Sequence, residues 1–174
     1  MDFRQTVDES KGGFERLVSK IPGYHGYKEK ENRRAADKLL REHLASQLDE
    51  QRRGLVNLQR DLLEGGGLLL VDDLERAVTK VQKLADRIRT ASYGYAGLFD
   101  AVKVKEEELD ALYAFDENML AHVSAIQTAI DALASAIGSQ GDVKGAIRGA
   151  VSASEEAEET WRQRESALTG SAAV

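Results

Sequence analysis

The residue most out of keeping with its surroundings in this sequence is Asp116. It falls in a run of Leu109, Leu112, Met119, Val123, Ile126, Ile130, Leu133 and Ile137, spaced alternately three and four apart. That spacing is one face of a helix, and a carboxylate on it is costly to bury ionised without a partner. Such a group pairs with an arginine or tyrosine, raises its pKa, or faces a gap in the core. The structural role open to it is fixing helix register, as single polar seam residues do. The chemical role would be handling a proton or gripping a small ligand.

The second feature is a pair of Tyr/Gly segments. Tyr24-His25-Gly26-Tyr27 is one and Tyr93-Gly94-Tyr95 the other, with Phe99, Tyr113 and Phe115 following. Glycine lets backbones approach, and tyrosine has an apolar body with a polar tip. The mixture suits a tightly packed plug where the chain reverses, and it also suits an interface. Tyr24, Tyr27, Tyr93, Tyr95, Asp100 and Asp116 are therefore the candidate binding residues.

Other chemistries find little here. A di-metal carboxylate bundle needs Glu-x-x-His pairs. The histidines are His25, His43 and His122, and the residues three before them are Pro22, Leu40 and Met119. No metal site of that type is expected. Gly65-Gly66-Gly67 lacks the following lysine of a phosphate loop, and no GxGxxG follows a strand pattern. No Ser/His/Asp set is suggested by position. The chain has no cysteine, which removes thiol catalysis and fits a reducing interior. No catalytic residue and no cofactor are expected, and the chain reads as a non-enzyme.

The elements that must hold these residues are helical. Ala, Leu, Glu, Lys, Arg and Gln dominate, all good helix formers, and alternation typical of strands is missing. A single proline, Pro22, interrupts 174 residues. A short amphipathic segment with Phe3, Val7, Phe14, Leu17 and Ile21 leads into the Pro-Gly turn at residues 21–27. From Lys28 to Glu64 the positions Leu44, Leu48, Gln51, Leu55, Leu58 and Leu62 form a heptad seam. The three glycines that follow close that helix, because glycine readily takes left-handed backbone. A second helix carries Val71, Leu74, Val78, Val81, Ala85 and Ile88. The Asp116 helix is the third. A turn at Gly138–Asp142, with Asp142 as N-cap, opens a fourth, with a seam of small residues and Trp161.

Short connections make neighbouring helices antiparallel. The expected fold is all-α: an elongated antiparallel four-helix bundle or coiled coil with an additional N-terminal amphipathic segment. Residues 1–27 form the N-terminal unit and 28–169 the bundle, with helices at about 28–64, 68–92, 103–137 and 142–168. Residues 170–174 form a tail. A hairpin turning at 65–67 places residue 27 near the 90s and 100s, so both Tyr/Gly segments and Asp100 gather at one end.

Net charge is −6, which disfavours general nucleic-acid binding. Basic residues enrich the first long helix. Glu106–Glu108, Asp110, Glu155, Glu156, Glu158 and Glu159 make the C-terminal half acidic. Met1-Asp2-Phe3-Arg4 lacks the order of a signal peptide, and the longest aliphatic run, Leu68–Val71, is short. A cytoplasmic location is expected.

The stretches Ser92–Asp100 and Glu108–Asp116, with Pro22–Lys28, resemble a pattern in uncharacterised prokaryotic helical proteins. That resemblance covers most of the chain and implies no activity. In shape alone the hairpin resembles membrane-remodelling coiled coils of the phage-shock type. Three functions are thus expected in competition. One is a scaffold that binds a protein, or a second copy, through the Tyr/Gly end or the acidic C-terminal face. Another is a peripheral membrane protein of envelope stress using residues 2–21. The last is a small-ligand bundle around Asp116.

Overall fold

A computed structural model describes residues 13–91 and 96–170 of the chain. They are helical apart from short connections, with no strand among them. Helix α1 covers residues 13–20 and α2 Lys30–Glu64. A 3₁₀ turn at Leu68–Leu70 leads into α3, Val71–Thr90. Then come the single turn α4, Ala96–Phe99, and the long helices α5, Glu106–Ser139, and α6, Val143–Gly170.

Local chemistry explains most of these boundaries. Gly66 adopts φ +83°, and the Gly67 amide donates to the Leu62 carbonyl at 2.8 Å, which closes α2. Asp72 and Asp73 lie in the first turn of α3, and Arg87 and Arg89 in its last, each on the side the helix dipole favours. Helix α5 opens on Glu106, Glu107 and Glu108, with the Lys105 amide donating to Glu108 Oε2 at 3.1 Å. It therefore begins at Glu106 and not near 103. At its far end Gln140 takes left-handed backbone, φ 54°. Asp142 Oδ1 accepts the Gly145 amide at 2.8 Å and starts α6. The expected 68–92 helix is a 3₁₀ turn followed by a helix ending at Thr90.

Helix α2 packs against α3 and α5, and α6 packs against the same two. The shared core includes Leu44, Leu48, Leu55, Val81, Ile88, Met119, Ile126, Leu133 and Trp161, all buried. Each such leucine contributes roughly 1.5–3 kcal/mol by leaving water. On α6 the seam residues Ala150, Ser154 and Ala157 are small and buried, so its backbone lies close to its neighbours. Helix α5 has the length and mean hydropathy, 1.3, to cross a membrane by composition alone. It is nonetheless clamped between α2 and α6 and carries the buried Asp116.

The described part of the N-terminal unit docks on these helices. Leu17 and Ile21 are buried, and Phe14 sits against Tyr24 and Tyr113. Gly26 fits a space nothing larger fills: φ is +78°, and an added Cβ would lie 2.5 Å from Tyr113 Oη. The expectations for residues 1–12 and 171–174 fall outside the described residues.

Candidate functional site

Asp116 lies at the centre of a buried polar cluster. It projects from α5 and is fully buried. Tyr27, on the turn before α2, donates its hydroxyl to Asp116 Oδ2 at 2.5 Å. Arg164, on α6 and equally buried, donates from Nε to Asp116 Oδ1 at 2.6 Å. The same guanidinium reaches α2, giving Nη2 to Asp37 Oδ1 at 2.8 Å. Asp37 Oδ2 in turn accepts from Arg41 Nε at 2.7 Å, and Arg41 Nη1 donates to the Arg89 carbonyl where α3 ends. Arg164 thus bridges the two buried carboxylates, and Arg41 pairs with one of them.

The tyrosines frame this cluster. The Tyr27 amide donates to Tyr113 Oη at 2.7 Å, and the Tyr27 carbonyl accepts from Arg33 Nε at 2.9 Å. Arg33 also donates to the Ala101 carbonyl at 2.7 Å. The Tyr27 ring stacks on Phe99, 6.0 Å between centroids at 11°, and meets Tyr24 edge-on. Under the cluster, the Arg164 guanidinium lies 4.9 Å from the Trp161 ring centroid, a cation–π contact.

Burial sets the electrostatics. It pushes the Asp116 carboxyl up to about 6, against the opposing pull of Arg164 and of the Tyr27 hydroxyl. Burial likewise drives the Tyr27 and Tyr24 phenols up, with the Asp116 charge adding to it. Arg164 loses solvation but faces Asp116, Tyr27 and Asp37, and its pKa rises well above the ordinary value. The tyrosines remain neutral and the arginine charged at any physiological pH. A carboxylate held on both oxygens by fixed donors is poorly placed to shuttle protons or to meet a ligand.

The candidate residues separate on this evidence. Tyr24, Tyr27 and Asp116 lie together inside, with exposures of 2%, 0% and 0%. Their rings and oxygens offer no surface to a partner in this arrangement. Asp100 is exposed and accepts Arg34 in a two-pronged ion pair at 2.7 and 3.0 Å, which holds its carboxyl below the usual range. Tyr93 and Tyr95 lie outside the described residues. Arg164, Asp37, Arg41 and Arg33 belong to the cluster and were not singled out from the sequence, and Tyr113, noted there beside the Tyr/Gly segments, joins them.

On the surface, a groove of about 420 Å³ runs between α5 and α6, lined by His122, Ser152, Glu155, Glu156, Glu159 and Thr160. Some acids of α6 are engaged: Lys80 meets Glu155 at 3.0 Å, Arg87 meets Glu165 at 2.6 Å, and Glu159 pairs with Arg162 on its own helix. The acidic helix thus faces the bases of α3 and not those of α2. Among the described residues no group of three or more His, Asp or Glu gathers as metal ligands.

No protein-family model, curated protein or solved structure matches this chain. That is consistent with the resemblance to an uncharacterised helical family, and it brings no activity to test against the geometry.

Proposed function

We propose that the chain is a non-enzymatic scaffold, an elongated antiparallel four-helix bundle that docks a basic protein partner on the acidic face of α6. Paired contacts support the antiparallel reading. Asp49 meets Arg89 and Gln59 meets Glu75, so positions fall along α3 as they rise along α2. The observation that carries the function is the shallow, open depression between α5 and α6, where Glu155, Glu156 and Glu159 lie together. The interior acids are occupied by Arg41, Arg164 and Tyr27, which favours the outer face as the working one. With Tyr24 and Tyr27 inside, that face is favoured over the Tyr/Gly end.

The test is photo-crosslinking from position 152 in the cells that make the protein, with and without Glu156→Lys and Glu159→Lys. A crosslinked protein that is lost in the double variant and at high salt is expected. Crosslinks indifferent to both changes would count against the reading. For the membrane alternative, Leu17 and Ile21 already face the bundle and leave little apolar surface in the described segment. Flotation with anionic liposomes separates the two. For the ligand alternative, both carboxylate oxygens of Asp116 are occupied by Tyr27 and Arg164.

A further inference from the structure

Helix α5 buries less of its apolar length than a core helix does. Its most apolar 18-residue window has a mean hydropathy of 1.3, yet only 28% of that window is buried. Asp131 is the one Asp, Glu, Lys or Arg between Ala121 and Ser139. The inward seam is Met119, Val123, Ile126, Ile130 and Leu133, all buried. Two positions further along, about 200° around the helix, Ala121, Ala125, Thr128, Ala132 and Ser135 repeat the same 4-3-4-3 spacing and are exposed. A second seam on the outer side is a face shaped for another helix. The charges beside it indicate which helix. His122 lies beside Thr160 at 3.0 Å, so Ile130 is level with Ser152 on α6. Along the outside of α6, Lys144 and Arg148 come before that level, and Glu155, Glu156 and Glu159 after it. Among the described residues Arg148 is in no ion pair, and Glu156 accepts only the Ser152 hydroxyl, at 3.4 Å.

We infer that α5 pairs with α5 of a second copy, antiparallel about a two-fold axis level with Ile130. The inference rests on the acidic-face reading and names its basic partner, the Arg148 edge of the same chain. The axis sets Arg148 of one copy level with Glu156 of the other. It sets Lys144 level with Thr160, one position from Glu159. Symmetry makes each of these contacts twice. Sliding the seams by one step, to an axis near residue 127, would instead set Glu155 level with Glu156. A parallel pair would set every charge level with itself. Charge therefore selects one arrangement among those the seam allows. In that arrangement Ala125 meets Ser135 and Thr128 meets Ala132, and side chains of that size let two helices approach to about 8 Å.

Sedimentation equilibrium of the full chain is expected to show a dimer that weakens with added salt. Arg148→Glu or Glu156→Arg alone should weaken it about tenfold. The two together in one chain should restore it, which damage to the fold would not do. The chain has no cysteine, so single introduced thiols report the register. At roughly 1.5 Å per residue, Thr128→Cys lies about 6 Å along the axis from its own copy, and Ala121→Cys about 27 Å. The first should crosslink on oxidation and the second should not. A chain that stays monomeric at millimolar concentration would overturn the inference. So would a dimer indifferent to both charge reversals, or equal crosslinking of the two thiols. A monomer whose crosslink from position 152 captures a different, basic protein would overturn the second copy and leave the acidic-face reading standing.

Discussion

Single residues in the buried cluster should respond very unequally to change. Arg164→Ala leaves Asp116 and Asp37 without their shared cation, and a broken buried pair costs about 3–5 kcal/mol. Chemical denaturation should show that loss. Tyr27→Phe removes a donor to a charged acceptor, worth roughly 1.5–3 kcal/mol, and should push the Asp116 carboxyl above its position near 6. NMR titration of the carboxyl carbon would register the movement. The pH dependence follows in sign. Asp116 holds its proton more tightly folded than unfolded, up to about 6 against an ordinary 3.8. Its contribution is therefore full below the unfolded value and is lost as pH rises through the folded one. Asp116→Asn should erase that slope. A wild-type profile with no difference from Asp116→Asn between those limits would contradict the assignment.

Helices and turns respond through their glycines, with opposite signs. Gly54 sits inside α2, where an added Cβ meets only Ile130 at 3.9 Å, an ordinary contact. Gly149 in α6 has nothing within 4 Å. Alanine at either position should raise stability by about 0.5–1 kcal/mol through helix propensity. Gly26→Ala should instead lower it by roughly 1–3 kcal/mol, because the left-handed backbone and the Tyr113 hydroxyl both resist a side chain. Thermal melts of the three variants decide it, and a stabilised Gly26→Ala would mean that the N-terminal unit is not docked as described.

At this scale the sequence was most informative, and its failures are instructive. Helix type and the glycine closure of α2 follow from period and local chemistry, which act over a few residues. The cluster was half visible. Asp116 broke an apolar seam, and so did residues that went unread because they are charged. The α6 seam steps from Trp161 to Leu168 with Arg164 between them in phase. The α2 seam runs back from Leu44 through Arg41 to Asp37 at the same spacing. Charge suggested solvent, and only long-range pairing turned those positions inward. Tyr24 and Tyr27 are open to two readings, a packed plug or a binding surface, because a polar tip permits either. Which side they take depends on Asp116, 89 positions from Tyr27.

The whole molecule is a set of helices joined at one end by ions and elsewhere by aliphatic seams. If the antiparallel arrangement holds, small-angle scattering should give a rod at least about 50 Å long, the span of a 35-residue helix. A globular profile would refute it. The opposite end presents Leu68 and Leu69, 69% and 94% exposed on the α2–α3 turn. Asp61, Glu64 and Asp72 stand close by in sequence and are exposed. Like charges there oppose pairing of two such ends, and adding salt should weaken that opposition.

The hydroxyl of Tyr27 and the guanidinium of Arg164 stand 3.4 Å apart across 137 positions of chain. During synthesis the tyrosine leaves the ribosome long before the arginine exists. The early helices can pair, and Asp37 already has Arg41 on its own helix, but Asp116 must wait for its cation until α6 is made. During synthesis, closing the cluster therefore waits until α6 has been made. An interaction that also closes after the folding transition state acts mainly on the unfolding rate. Arg164→Ala should speed unfolding far more than it slows refolding, and truncated chains ending before residue 164 should be short-lived in the presence of protease.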